Sequence, residues 1–257
     1  MFSPHQVAYF RSFGYFKINQ VFSSAEMELI NGEIDSVWAE LNQQHDASDG
    51  EDYWLPEFVE QSSALAHLID DDRIFKRVEA LLKADFVFGG SEGRLTCVDA
   101  ANWHADRKCY RLDGSEISYR RAKVLMYLEP VRKDTGCLRI IPGSHRLPLH
   151  TELSIQQTND DDLSSLFGIE GRDFPCVALE TEPGDVIFLD HCLFHAVYGG
   201  RPNRRFLSMK FGAVPTTQEH IELLQFNNHS LLDPPELFVN SDRPRLRRMV
   251  KPLAEWN

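Results

Sequence analysis

The chain has 257 residues, 42% of them apolar and 26% charged, and its 39 Asp and Glu outnumber its 27 Lys and Arg for a net charge of −12. This balance is ordinary for a folded globular protein and excludes collagen-like, coiled-coil and wholly disordered chains. An acidic chain is repelled by nucleic-acid phosphates and by anionic lipid, so neither is an expected partner.

The N-terminal stretch MFSPHQVAYFRSFGYFKI lacks the basic start, apolar core and small-residue cleavage site of a secretory leader. No apolar run approaches the roughly 18 residues that span a bilayer. The five cysteines, Cys97, Cys109, Cys137, Cys176 and Cys192, are odd in number and show no C-x-x-C spacing. That pattern argues against a disulfide framework or a structural zinc site and predicts a reducing, cytoplasmic setting.

The first third reads as helical. Ser23 stands three residues before Glu26, the capping-box spacing. Met27, Ile30, Ile34, Val37, Trp38 and Leu41 follow at steps of three and four, which predicts a helix with one buried face. A second helix is predicted over 72–83 from Ile74, Phe75, Val78, Leu81 and Leu82, and 47–53 reads as a polar loop. From about residue 86 the period shortens. FVFGG, RLTCV, KVLMYL, CLRIIP, FPCVAL, DVIFL and FLSMKF are β-branched or aromatic runs divided by Gly, Pro or Asp, as in a sandwich or barrel. The acidic stretch 156–165 reads as a solvated loop. The last 40 residues look mixed, and Arg243, Arg245, Arg247, Arg248 and Lys251 there read as a solvated or salt-bridging face. There is no repeat and no linker, so a single domain is expected. Its parts are a mostly helical layer (1–85), a β core (86–212) and a helical or loop segment (213–257).

Ten histidines offer several candidate ligands. One H-x-D occurs, His104-Ala105-Asp106, a match that chance also supplies in a chain of this composition. Geometry gives it meaning. On a strand, residues i and i+2 share a face, so the imidazole and carboxylate project together. One further His would complete a facial two-His-one-carboxylate set, which suits non-haem iron(II) and leaves positions open. After the turn Pro183-Gly184-Asp185, a late strand offers His191 and His195, and spacing alone does not choose between them. His150/Glu152 and His220/Glu222 lie outside strand signals and read as surface pairs. Arg204, nine residues past His195, could meet the far carboxylate of a dicarboxylate co-substrate bidentately. Arg205 is its alternative, because alternation lets only one of the two face inward.

Taken in order, His104-Ala-Asp106, the segment Asp134-Thr-Gly-Cys-Leu-Arg-Ile-Ile-Pro-Gly-Ser-His145, Pro183-Gly-Asp185, His195 and Arg204 resemble the phytanoyl-CoA dioxygenase (PhyH) family. Phe13-Gly14-Tyr15 and Phe22-Ser-Ser-Ala-Glu26 resemble that family's N-terminal region, so the likeness covers roughly residues 5–212. The resemblance implies a double-stranded β-helix (jelly-roll, cupin-like) core under a helical layer, in an α+β, mainly β chain. It implies an iron(II)- and 2-oxoglutarate-dependent oxygenase that uses O2, with release of succinate and CO2. It assigns His104, Asp106 and His195 to the metal and Arg204 to the distal carboxylate of 2-oxoglutarate. Tyr110 and Lys123 are further candidates for the 2-oxoglutarate pocket. Pro142-Gly143-Ser144-His145 reads as a structural turn, with His145 a loop hydrogen-bonder. Halogenating relatives have Gly or Ala at the carboxylate position, so Asp106 favours hydroxylation or a related desaturation or cyclisation.

Arg107, Lys108, Arg120, Arg121 and Lys123 put positive charge near the expected mouth of an otherwise acidic chain, which suggests a small polar or anionic metabolite as substrate. The rival readings are a cupin-like metal protein with non-oxidative chemistry, which needs no arginine at position 204, and a non-catalytic member of the same fold.

Overall fold

The computed structural model describes residues 1–44, 53–96, 101–111, 113–157, 167–201, 204–225 and 234–254. Cys97, most of the 47–53 stretch and most of the acidic 156–165 stretch lie outside the described residues, as does the side chain of Leu41.

The helical layer begins with α1 (Pro4–Phe13), capped by Ser3 and Gln6 in a reciprocal box and closed by Gly14 at φ 81°. α2 (Ser24–Gln44) starts on the predicted capping box: Ser23 N–H donates to Glu26 Oε2 (2.8 Å) and Glu26 N–H to Ser23 Oγ (3.3 Å). Met27, Ile34, Val37 and Trp38 are buried on its inner face. α3 (Ser63–Asp70) leads into α4 (Asp72–Leu82), which buries all five of the periodic residues Ile74, Phe75, Val78, Leu81 and Leu82.

Two short strands also sit in this first third, β1 (Tyr15–Ile18) and β2 (Tyr53–Pro56). They were not expected, because four residues give too few alternations to register as a strand. They close opposite edges of the large sheet, β1 on one side and β2 on the other.

The remaining strands are β3 (Phe86–Thr96), β4 (Ala101–His104), β5 (Arg121–Tyr127), β6 (Leu138–Ile140), β7 (Val177–Leu179), β8 (Val186–Leu189), β9 (His195–Val197) and β10 (Arg204–Ala213). FVFGG and the start of RLTCV, residues 94–96, read as two strands, belong to the single strand β3, whose pairing with β10 shifts register between Met209 and Phe211. All strands pair antiparallel. They form a six-stranded sheet, β1-β8-β5-β10-β3-β2, and a four-stranded sheet, β4-β9-β6-β7. The architecture is a jelly-roll of the cupin-like kind with a helical layer on the larger sheet.

Alternation decides what each face of the larger sheet meets. Ala122, Val124 and Met126 of β5, Val186 and Phe188 of β8, and Leu207, Met209 and Phe211 of β10 join the core beneath the helices. Leu125 and Tyr127, Ile187 and Leu189, and Phe206 face the other way. There they pack with Leu138, Ile140, Leu179 and Val197 of the smaller sheet. The space between the sheets is therefore apolar at one end, and it holds the polar residues of the cavity described below at the other.

α5 (Leu149–Gln157) lies between β6 and β7, and after β10 come α6 (Gln218–Gln225), α7 (Glu236–Val239) and α8 (Pro244–Ala254). The C-terminal cations pair with the helical layer: Arg243 with Asp70 (2.6 Å), Arg245 with Asp72 (2.7 Å) and Arg248 with Glu79 (3.8 Å).

Candidate metal centre

A cavity of about 430 Å³ opens between the sheets, and His104, Asp106, His191, His195, Lys123 and Arg204 all line it. β4 and β9 pair so that His104 lies directly opposite His195. Their rings stand 4.4 Å apart. Asp106 follows two residues beyond the end of β4, and the chain keeps its carboxylate on the histidine side. Asp106 Oδ1 is 4.0 Å from His104 Nε2 and 3.7 Å from His195 Nε2. One ligand atom from each of the three lies within 4.8 Å of the others, and among the described residues this is the one such group.

The hydrogen bonds behind these residues fix which atoms face inward. Nδ1 of His104 bonds to the Asn102 carbonyl (2.7 Å), and Nδ1 of His195 to the Leu193 carbonyl (2.9 Å). A carbonyl can only accept, so Nδ1 carries the proton in both rings and Nε2 keeps its lone pair toward Asp106. Burial, with His104 beside it, pushes the His195 pKa down to about 4, so the ring is neutral at physiological pH. Asp106 is handled in the complementary way. Burial opposes its ionisation, but Lys123 and the neighbouring histidines hold its carboxyl well below the usual carboxylate range. Lys123 Nζ takes Asp106 Oδ2 (3.1 Å), leaving Oδ1 for the histidine side. Two imidazoles that turn Nε2 inward and one carboxylate that offers a single oxygen form a donor set that fits a divalent first-row metal.

Lys123 belongs to a buried network. It also meets Glu92 Oε1 (3.0 Å), and Glu92 accepts from Lys210 (3.2 Å), Trp54 Nε1 (2.8 Å) and Ser208 Oγ (2.9 Å). Burial disfavours the Glu92 anion, yet Lys123 and Lys210 keep its pKa below the carboxylate range. Glu92 and Lys210 were not anticipated. Lys210 was legible as a cavity residue, since it shares the parity of Arg204, Phe206 and Ser208 on β10. Glu92 lies in the stretch Ser91-Glu92-Gly93, which reads as a turn.

Arg204 is buried and lines the cavity, and its Nη1 donates to the Gly136 carbonyl. Its Nε has no hydrogen-bond partner among the described residues, and the guanidinium lies 5.9 Å from the Tyr127 ring centre. Arg205 points the other way and pairs with Glu129 (2.6 Å) and Asp35. Gly136 explains part of the 134–145 motif. It sits at φ 86°, and a Cβ there would come within 2.5 Å of Arg204 Nη1. The Pro-Gly-Asp turn has a similar reason, since a Cβ on Gly184 would meet the Phe22 carbonyl at 2.2 Å.

His191 also lines the cavity, buried, and its Nε2 lacks a hydrogen-bond partner among the described residues. Tyr110 corrects an expectation, for it is not among the residues lining the cavity. The chain turns after Asp106, so Tyr110 bridges to Glu116 and sets its ring edge-on to His150 instead. His150 is a second correction. It is fully buried, not on the surface, and its Nδ1 bonds to the Ser144 carbonyl (2.9 Å). Ser144 Oγ accepts from Phe194 N–H (2.8 Å) and His145 Nε2 meets the Arg11 carbonyl (3.1 Å), so the 142–145 turn braces the approach to β9.

A jelly-roll carrying this donor set between its sheets, with a buried arginine on the same cavity, defines an enzyme of the 2-oxoglutarate-dependent oxygenase class. The family model for phytanoyl-CoA dioxygenase (PhyH) matches residues 10–204, and the chain belongs to that family. Solved structures agree in fold. HygX from Streptomyces hygroscopicus with nickel and 2-oxoglutarate bound superposes with a TM-score of 0.67 at 20% identity, over 84% of this chain and 89% of that one. EctD from S. alaskensis with bound Fe gives 0.62 at 22% identity, over 83% and 77%. The non-heme alpha ketoglutarate dependent epimerase SnoN from nogalamycin biosynthesis gives 0.60 at 18%, over 82% of each chain. No curated protein sequence matches the chain. No helix among the described residues is long and apolar enough to cross a membrane.

Proposed function

We propose that this chain is a non-haem iron(II)- and 2-oxoglutarate-dependent hydroxylase of a small polar or anionic metabolite or natural-product intermediate. One observation carries the reading: His104 Nε2, Asp106 Oδ1 and His195 Nε2 converge in the cavity that Arg204 also lines. In this reading the three side chains hold iron(II), and the Arg204 guanidinium binds the distal carboxylate of 2-oxoglutarate. The bound metal and co-substrate supply the oxidising power, with O2 consumed and succinate and CO2 released. HygX, crystallised with nickel, 2-oxoglutarate and hygromycin B, shows the fold accommodating metal, co-substrate and a small molecule together.

The chain's own residues orient and select. Lys123 holds Asp106 to a single donor oxygen, and Glu92 keeps Lys123 in place. Five cationic side chains line the cavity (Arg94, Arg107, Lys123, Arg204 and Lys210) against the two carboxylates of Glu92 and Asp106. A cavity lined by these cationic side chains suits an anionic or polar substrate. Of the basic residues singled out in the sequence, Arg107 and Lys123 line this cavity, and Arg107 also donates to the Leu223 (3.3 Å) and Asp106 (2.8 Å) carbonyls. Lys108 is exposed, Arg120 and Arg121 line a different cavity, and Lys123 is engaged. The three sequence segments 1–85, 86–212 and 213–257 act as one domain, in a reducing compartment.

The test is anaerobic titration of the protein with iron(II), with and without 2-oxoglutarate, followed by visible absorption. The expected result is a weak charge-transfer band that needs both additions and is lost in His195→Ala. Absence of the band from folded protein would overturn the reading and favour a cupin-like metal protein with non-oxidative chemistry.

A further inference from the structure

A second cavity, of about 200 Å³, lies away from the metal centre, and Cys109 and Cys192 both form part of its wall. The segments that carry them are adjacent: Arg107 N–H donates to the His191 carbonyl (3.1 Å), and Arg121 Nη2 reaches both the Lys108 carbonyl (3.5 Å) and Cys192 Sγ (3.3 Å). The two cysteines are 6% and 5% exposed and come from separate segments, one after Asp106 and one between β8 and β9. Each has a partner suited to a thiolate. His150 Nε2 faces Cys109 and accepts the Cys109 N–H (3.4 Å), while Nδ1 of the same ring donates to the Ser144 carbonyl (2.9 Å). Arg121 Nη2 lies 3.3 Å from Cys192 Sγ. The Cys192 contact, then burial and His150, leave the Cys109 pKa lowered to about 6.

The same cavity is lined by Arg11, Arg120 and Arg146, all exposed. None of the three guanidinium groups makes an ion pair or hydrogen bond among the described residues, and burial together with repulsion from Arg11 lowers the Arg120 pKa. The cavity's carboxylates are Glu116 and Asp190, and Asp190 already accepts from Cys192 N–H (2.9 Å). Unneutralised arginines gathered around one cavity of a chain with net charge −12 mark a place for an anion. Reactive cysteines are found in electropositive settings of this kind.

We propose that Cys109 and Cys192 are a dithiol redox site, and that this cavity takes an anionic low-molecular-weight disulfide of the glutathione type and converts the pair to a disulfide. Cys109 gives its proton to His150 Nε2 and attacks one sulfur of the reagent. The reagent's S–S bond breaks, and one thiolate leaves with the electron pair. Cys192 then attacks the Cys109 sulfur of the mixed disulfide and expels the second thiolate. The cysteine pair loses two electrons, the reagent gains them, and the two thiol protons end on the two released thiols. The product would tie the segment after Asp106 to the segment leading to His195. The site is independent of the hydroxylase reading.

The experiment treats the reduced full-length protein with oxidised glutathione and maps disulfides by mass spectrometry without reduction. A Cys109–Cys192 cross-linked peptide is expected. Cys192→Ser should instead trap one glutathionyl group on Cys109, and Cys109→Ser should block both products. Arg11→Ala with Arg120→Ala should slow the reaction at least about fivefold with oxidised glutathione and leave the rate with neutral 2-hydroxyethyl disulfide unchanged. Modification of Cys97, Cys137 or Cys176 with Cys109 and Cys192 untouched would overturn the proposal. So would equal rates for the double-arginine variant and the parent with the anionic reagent.

Discussion

The two sheets are built to different standards. The six-stranded sheet has strands of up to 11 residues, and one face lies against the helical layer through large side chains such as Phe188, Leu207 and Phe211. The four-stranded sheet has strands of three or four residues. Yet it is the small sheet that carries His104 and His195, while the large one supplies Lys123, Glu92, Lys210 and Arg204. The large sheet holds its polar groups by burial. The small sheet holds its histidines by individual hydrogen bonds to Asn102, Leu193 and, one residue away from His195, Ser144. Stability and metal binding should therefore separate by mutation.

The largest effect expected on the small sheet is in binding. His195→Ala removes a donor that faces a cavity and not the packed core, so iron(II) affinity should fall more than about a thousandfold, beyond the loss seen for outer partners. The metal-free variant should unfold in urea within about 1 kcal/mol of the parent. A variant that lost both iron and fold would erase the distinction between the sheets. The matching change on the large sheet is Phe188→Ala. Its ring is fully buried and stacks edge-on with Phe2 at 5.0 Å. A loss of about 3–5 kcal/mol is expected in the urea midpoint analysis. A loss under 1 kcal/mol would mean that the helical layer is not what holds this sheet.

The same contrast governs what could be read from the sequence. α2 and α4 were legible because buried faces repeat at 3.6 residues, and the helix starts at Ser23 and Asp71 carry their caps in sequence. β5, β8 and β10 were legible because long apolar runs mark strands buried on both faces. β1 and β2 were not, since four-residue edge strands owe their existence to the partners β8 and β3. In the site, His104 and Asp106 came from i, i+2 geometry, while spacing left His191 and His195 equivalent and only the family resemblance chose His195, which pairing puts opposite His104. The Arg204 and Arg205 ambiguity likewise needed the third dimension, where Glu129 and Asp35 claim Arg205. Tyr110 came only from the resemblance, and the chain turns after Asp106 so that Tyr110 is not among the residues lining the cavity. Glu92 was invisible because its partners, Lys123 and Lys210, lie 31 and 118 positions away.

Gly136 tests the seam between the sheets, since it precedes β6 of the small sheet and touches Arg204 of the large one. Gly136→Ala puts a side chain into a left-handed backbone position, which costs about 1–2 kcal/mol. It also drives the Arg204 guanidinium off its seat. Iron(II) alone should bind as in the parent, while the 2-oxoglutarate-dependent band should need about tenfold more co-substrate. Unchanged 2-oxoglutarate dependence would show that Arg204 does not hold the co-substrate.

A pH-dependent effect is expected at the β2 edge of the large sheet, where burial is applied to an acid. Glu60 is buried, and its carboxyl is bonded to Ser91 through both oxygens, including the Ser91 N–H at 3.1 Å. Burial pushes its pKa from 4.5 up to about 7, against the pull of those Ser91 bonds. Between these two values the folded chain keeps a proton that the unfolded chain has released. Folding stability therefore has its full contribution from this group below about pH 4.5 and loses it as pH rises to 7. Glu60→Gln keeps a neutral group of the same shape, so it should not suffer that loss. Urea denaturation at pH 5 and pH 8 should show the variant gaining about 2 kcal/mol on the parent over that interval. All other titrating groups are common to both proteins and cancel in the difference. A difference that did not change with pH would mean that Glu60 is ionised in the fold, and that this edge tolerates a buried charge as readily as the cavity tolerates Glu92.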